Sequence, residues 1–275
     1  MSKWRIIPGR FNDPYTNMAI DEAIAREQLA GYELPTLRFY GWSPASFSLG
    51  YFQDAFKVLN IPKCEKARIP FVRRFTGGEA IFHDQELTYS LSLPQITPGL
   101  FNTVKESFKI NSSFILKAYR KLGLDAGFVS QGLSQRARGP AEALCFESSE
   151  EYDIMVRGRK LGGSSQRRIK NIIFQHGSIP IKFDFNKFKP FLNQDIYGLG
   201  DKVISLEEAL GTRISFNDLE KLLKESFEKV FKVELIEGDL SFKESESADR
   251  LKKEKYQSPE WNVLRKYPQE TALVK

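Results

Sequence analysis

Residues 71 to 84 read "FVRRFTGGEAIFHD". Within fourteen positions the chain places Arg73 and Arg74, the pair Gly77-Gly78 and His83, one of its two histidines. The apolar runs on either side predict strands, and Thr76-Gly77-Gly78 predicts the turn between them, because glycine reaches backbone angles closed to other residues. Residues 71 to 93 are therefore expected to be consecutive paired strands, "FVRRF", "EAIFH" and "ELTYSLSL". Taken alone, the stretch fits a tight hairpin flanked by surface arginines, an anion site, or both.

On either side of this stretch the pattern continues. "KWRIIPG" predicts a strand. "NDPYTNMAIDEAIAREQLAG" predicts a helix capped by Asp13, with Pro14 in its first turn and Gly31 as its stop. "TLRFYGW" and "SFSLGYF" predict strands, and Lys63 to Arg68 a short helix. "TVKESFKINSSFILKAYRKLG" predicts a helix with Phe108, Ile115, Tyr119 and Leu122 on one face, ended by Gly123. A loop rich in Gly, Ser and Arg spans 130 to 140. "EYDIMV", Arg157-Gly158 and "RKLGGSSQRR" then predict a second hairpin with a glycine-rich exit, followed by the strand "NIIFQHGSIPI". After Phe183 only helices are expected. Strands mixed with helices, then helices, make α+β the expected class, with mixed or antiparallel sheets flanked by helices rather than a doubly wound parallel sheet. No repeat or low-complexity linker divides the chain, so one domain over 1–275 is expected, with a core of about 30–240 and a helical C-terminal segment of about 242–275.

The 275 residues are 41% hydrophobic, enough for a sizeable core. No run approaches a membrane helix and "MSKWRIIPGR" lacks a signal-peptide pattern, so a cytoplasmic protein is expected. Lys plus Arg number 41 against 35 Asp plus Glu, a net charge of +6 that suits an acidic partner. The basic residues are dispersed among acids, unlike a nucleic-acid-binding stripe. Cys64 and Cys145 are too few for a disulfide framework and stand in no metal-ligand spacing, so no metal is expected. Neither G-x-G-x-x-G nor G-x-x-x-x-G-K-[ST] occurs, which argues against dinucleotide and P-loop sites, and no G-x-S-x-G supports a serine hydrolase.

Cys145, in "EALCFESSEEYDI", and Lys160, ahead of "LGGSS", are the candidate reactive pair. A lysine near a thiol favours the thiolate, and the glycine turn exposes N–H groups to an oxyanion. The plainer readings are a small buried thiol and a solvated hairpin lysine. Cys64 has no such companion and reads as structural, and His83 and His176 read as packed or hydrogen-bonded strand histidines.

Together these segments resemble the lipoate/biotin protein ligase and octanoyltransferase superfamily. "RRFTGGEAIFHDQELTYS" resembles its R-R-x-[ST]-G-G-x-A-[VI]-x-H-D signature, and "GRKLGGSSQRRIKNIIFQHGSI" its G-[RK]-K-[IVL]-x-G-[SN] lysine motif. The cysteine context "LCFESS" is similar to that of octanoyltransferases of the LipM type, as is the tail "QSPEW". The resemblance implies ping-pong acyl transfer: Cys145 takes an octanoyl group from octanoyl acyl carrier protein, Lys160 assists, and a lysine of a lipoyl domain, typically the glycine cleavage H protein, receives it. It implies an acyl pocket bordered by Arg73, Arg74, Thr76, Gly77, Gly78, His83, Gly162, Gly163 and Ser164, and no cofactor. Glu79, where ligases commonly carry a third glycine, leans the resemblance towards a transferase. The family also holds amidotransferases, which move the group between lipoyl-bearing proteins, and lipoate ligases, which would bring ATP and Mg.

Overall fold

The computed structural model describes residues 1–31, 34–94, 103–129, 152–193 and 199–267. Its main sheet has six strands in the order β10-β11-β6-β2-β1-β12. These are β1 (Ser2–Asn12), β2 (Thr36–Trp42), β6 (Glu86–Pro94), β10 (Gly163–Ile169), β11 (Ile172–Pro180) and β12 (Val233–Glu237). β10, β11, β6 and β2 run antiparallel in succession, whereas β2, β1 and β12 run parallel, so the sheet is mixed as the sequence implied. The strand β12 falls where only helices were expected. Its Val233 and Leu235 point inward and alternate with exposed Glu234, a period-2 signal only five residues long.

A second sheet has the order β4-β3-β5, from β3 (Ser46–Leu49), β4 (Phe71–Arg73) and β5 (Ile81–His83). This corrects the expectation for residues 71 to 93. β4 and β5 do not pair with each other: β3 lies between them, parallel to β4 and antiparallel to β5, and β6 belongs to the main sheet. Residues 74–80 are thus a crossing loop over the end of β3. A third sheet joins β7 (Ala126–Phe128), β8 (Ile154–Val156) and β9 (Arg159–Lys160). Arg157 and Gly158 turn between β8 and β9 with φ of 52° and 72°, the two positive angles of a type I′ hairpin.

The helices are α1 (Pro14–Leu29), α2 (Ala55–Val58), α3 (Ile61–Lys66), α4 (Val104–Lys121), α5 (Phe185–Phe188), α6 (Leu199–Lys202), α7 (Leu206–Leu210), α8 (Phe216–Phe231), α9 (Phe242–Leu251) and α10 (Pro259–Asn262), with a π-helical turn over Lys252–Tyr256. Asp13 caps α1 by accepting from the Thr16 N–H, and Thr103 and Glu106 form a capping box on α4. Among the described residues no helix is long and apolar enough to cross a membrane.

Strand alternation decides what each side of the main sheet carries. Leu37 and Phe39 of β2 and Leu87, Tyr89, Leu91 and Leu93 of β6 join Phe114 of α4 and Phe227 of α8 in one apolar core. The intervening residues, Arg38, Glu86, Thr88, Ser90 and Ser92, face α1 and are equally buried. The α4/α8 face is therefore mainly apolar, with buried Gln175 bonded to Tyr89 and Ser112 as an exception, and the α1 face sets this polar row among apolar Ile172 and Phe174. A buried polar row costs free energy unless each group is partnered, and that row is where the site lies.

Candidate functional site

Helix α1 supplies most of the partners. Asp21 Oδ1 accepts from Arg38 at 2.6 Å and from Ser90 Oγ at 2.8 Å, and its Oδ2 accepts from Tyr40 OH at 2.8 Å. Gln28 meets Ser92, and Asn17 bonds Arg38 and the Gly41 carbonyl. Where α1 leaves the sheet, a cleft opens between Met18, Tyr40, Trp42 and Thr88 on one side and Gly163, Ser164, Ser165, His176, Gly177 and Ser178 on the other. Arg74, Ile81 and His83 complete the lining.

The crossing loop 74–80 forms the wall above it and is pinned at several points. Arg74 donates to the Ser48 carbonyl and hydroxyl and to the carbonyls of Gly77 and Glu79. Ser165 Oγ donates to the Gly77 carbonyl at 2.9 Å, and Thr76 Oγ1 lies 2.7 Å from His176 Nε2. Glycine is required where backbones meet: a Cβ on Gly50 would overlap the Gly78 carbonyl, and Gly78 itself has φ +87°.

Both histidines line the cleft. His83 Nε2 lies 2.6 Å from Ser48 Oγ, its Nδ1 lies 2.8 Å from Glu86 Oε1, and its ring stacks on Trp42 at 3.8 Å and 7°. Burial would raise the Glu86 carboxyl pKa, but His83, Thr88 and Ser178 hold it below the ordinary value. His176 Nδ1 faces Asp21 Oδ2 at 3.6 Å. Burial lowers the His176 pKa and outweighs the pull of Asp21, with Arg74 and His83 adding to the depression. At neutral pH the imidazole is uncharged, directs Nδ1–H towards Asp21 and accepts the Thr76 hydroxyl at Nε2. For Asp21 the balance runs the other way: burial is overcome, chiefly by Arg38 and then His176, and the carboxyl pKa is lowered.

A second cavity adjoins the first, sharing Gly163, Ser164 and Ser178, and is lined further by Asp153, Gly162, Tyr119 and Ile179. Gly162 has φ +87°, and a Cβ there would overlap the Ser178 carbonyl. Ser164 Oγ pairs with Tyr89 OH at 2.8 Å beside this junction. Lys160 is 3% exposed, and its Nζ meets Asp153 Oδ2 at 2.8 Å, so it is not a solvated hairpin lysine.

Of the expected site residues, Arg74, His83, Gly163 and Ser164 line the cleft, Thr76, Gly77 and Gly78 build its loop wall, and Gly162 lines the adjoining cavity. Cys145 lies outside the described residues. Arg73 is placed elsewhere. Fully buried, it donates to the carbonyls of Gly50, Tyr51, Gln53, Trp261, Asn262 and Val263 and ties the end of β3 to α10. Burial and Arg265 pull its pKa down to about 10, which leaves it cationic at neutral pH. Neither arginine is on the surface. Cys64 is buried in an apolar cluster, and burial pushes its thiol up to about 11, an unreactive structural cysteine. Sequence reasoning missed Asp21, Glu86 and Asp153. The signal for Glu86 was present in "ELTYSLSL", where every second residue of a buried strand is polar. Among the described residues no group of three or more His, Cys, Asp or Glu could hold a metal ion.

Comparison with known proteins adds a family to this geometry. The family described as "Lipoyl protein ligase A/B catalytic domain" matches residues 13–228. The protein named "Octanoyltransferase LipM" from Halalkalibacterium halodurans is 36% identical over 273 residues, covering 95% of this chain and 99% of that one. Its namesake from Bacillus subtilis is also 36% identical, with 95% and 98% covered. Among solved structures, lipoate-protein ligase A bound with ATP superposes with a TM-score of 0.79 at 24% identity, covering 96% of this chain and 99% of that one. A putative lipoate protein ligase from T. acidophilum with bound lipoic acid gives 0.77 at 23%, with 96% and 99% covered. At those identities the likeness is one of fold.

Proposed function

The chain belongs to the lipoyl protein ligase A/B catalytic-domain family, and from that premise we propose that it is an octanoyltransferase acting in protein lipoylation. The observation that carries the reading is end-to-end identity of about 36% with proteins named octanoyltransferases. In this reading the Cys145 thiolate attacks the thioester carbon of octanoyl acyl carrier protein, and the carrier thiol leaves. The amine of a lysine on a lipoyl domain, in the first place the glycine cleavage H protein, then displaces the cysteine sulfur and forms an amide. Thioester to amide is downhill, so neither ATP nor a metal enters the scheme. We place the reaction in the cytoplasm.

Several of the described features have a use in that scheme. The cleft between Trp42, Tyr40, Met18 and the crossing loop takes the acyl chain. At about 0.8 kcal/mol per buried methylene, six methylenes supply roughly 5 kcal/mol of gross binding. His83 fixes the Trp42 ring, and His176 fixes Thr76 in the loop. Lys160, beside the glycine turn, stabilises the thiolate and the oxyanion.

Incubation with octanoyl acyl carrier protein, followed by intact mass, tests the reading. One octanoyl adduct is expected in the parent and in Cys64→Ala, and none in Cys145→Ala. ATP-dependent attachment of free lipoate to a lipoyl domain, unaffected by Cys145→Ala, would replace it with a ligase. Acylation by an octanoylated lipoyl protein but not by the carrier protein would make it an amidotransferase.

A further inference from the structure

Asp153 takes no part in the scheme above, yet its placement is specific. It precedes β8 by one residue and is 7% exposed. In the β8–β9 hairpin Met155 stands opposite Lys160, so Asp153, two residues back on the same face, is the diagonal neighbour of Lys160. The result is the 2.8 Å ion pair, with side chains 8% and 4% exposed. The same carboxylate borders the second cavity, which shares Gly163, Ser164 and Ser178 with the acyl cleft. It therefore borders both the lysine and the second cavity.

The two halves of a ping-pong transfer ask different things of this place. The donor brings a neutral thioester. The acceptor brings a second lysine, which arrives as an ammonium beside the Lys160 ammonium, and like charges sheltered from water repel. We propose that Asp153 is a positioning residue for the transfer half-reaction: its carboxylate orients the Lys160 ammonium and offsets that charge, so that a second lysine can enter. This rests on the octanoyltransferase reading. In the step itself the acceptor ammonium releases one proton to solvent and its nitrogen attacks the thioester carbon. The new C–N bond forms, the C–S bond breaks with its electron pair on sulfur, and the second nitrogen proton passes to that sulfur. The products are an amide and a free thiol.

Asp153→Asn and Asp153→Glu in the full chain separate the halves. Acyl-enzyme formation from octanoyl acyl carrier protein is followed by intact mass, and the isolated acyl-enzyme is then mixed with an acceptor lipoyl domain in a single turnover. With Asn, acylation is expected within threefold of the parent or faster, because the ammonium is freer to pair with the thiolate. Transfer is expected to slow about 30-fold, equivalent to about 2 kcal/mol at 1.36 kcal/mol per tenfold. Glu should restore part of it. Equal slowing of both halves would mark a merely structural carboxylate and overturn the proposal, as would unchanged transfer. A parent protein that forms no acyl-enzyme overturns the octanoyltransferase reading and this proposal together. With a parent that acylates normally, a failure to slow transfer selectively counts against the role of Asp153 alone.

Discussion

The ion pair between Glu22 of α1 and Lys255 of the π-helical turn gives a sharp stability prediction. Both side chains are fully buried, with Nζ to Oε2 at 2.8 Å, and Tyr256 OH donates to the same oxygen. Arg26 holds the other oxygen at 2.5 Å, and Lys255 lies 3.9 Å from the centre of the Trp261 ring. Burial would raise the Glu22 pKa, but Lys255, Arg26 and the Tyr256 hydroxyl bring it from the ordinary 4.5 to about 2. At 1.36 kcal/mol per pH unit that displacement is worth about 3 kcal/mol of stability. Because the folded value is the lower one, the contribution is present above pH 4.5 and disappears as pH falls from about 4.5 to about 2. Glu22→Gln removes the charge and keeps the shape, leaving a buried ammonium without that carboxylate, which costs about 3–5 kcal/mol. Urea unfolding of the parent, Glu22→Gln, Lys255→Met and the double variant at pH 7 measures the pair directly. The double variant should recover a large part of the single loss, and Glu22→Gln should flatten the acid limb of the parent's pH profile. A Glu22→Gln loss below about 1 kcal/mol, or strict additivity in the cycle, would refute the reasoning.

Three further outcomes follow from the geometry. Gly162→Ala combines a left-handed φ with a Cβ against the Ser178 carbonyl, so a loss of about 2 kcal/mol or more is expected in thermal unfolding, and octanoyl transfer should fall with it. The His176 ring should titrate below 6.5 when followed by NMR. Since its folded pKa is the lower one, its contribution to stability is complete above 6.5 and declines below, and a midpoint at or above 6.5 would contradict the neutral assignment. Arg73→Met strips the donors from the carbonyls of Trp261 and Asn262, so α10 should become protease-sensitive and stability should drop by about 3 kcal/mol, whereas an unchanged cleavage pattern would deny Arg73 its tying role.

Much of the fold was legible because its signals are local. Asp13 and Pro14 announced α1, the aromatic run "TLRFYGW" announced β2, and Arg157-Gly158 announced the β8–β9 hairpin. Pairing was not local. "FVRRF" and "EAIFH" have every mark of hairpin partners, yet both add to β3, some twenty and more residues earlier, because the loop between them must cross β3 to reach its other edge. Sequence marks a turn at Gly77-Gly78, but the demands on glycine differ by position: Gly78 takes φ +87°, a Cβ on Gly77 would meet open space, and the close passage of the Gly78 carbonyl constrains Gly50, a contact between distant segments. The same limit explains the arginines. Adjacent and chemically identical, Arg73 and Arg74 point to opposite sides of the chain, so one became a tie to α10 and the other part of the cleft.

The site follows from how the main sheet divides its two faces. Its α4/α8 face is mainly apolar, interrupted by Gln175 with Asn111, Ser112 and the Tyr89 hydroxyl, and volume-conserving apolar changes are tolerated best there. Its α1 face carries Arg38, Glu86, Thr88, Ser90, His176 and Ser178, where every polar atom constrains its neighbour through Asp21, Glu86 or the crossing loop. Such a network is tolerant of nothing, but it holds Trp42, His83 and Thr76 in one arrangement. An acyl chain offers its binder no hydrogen bonds, so it can be positioned only by the shape of a wall. In the reading proposed above, rigid polar bonding behind that wall is what lets the cleft select one chain and present its carbonyl to the lysine side of the glycine turn.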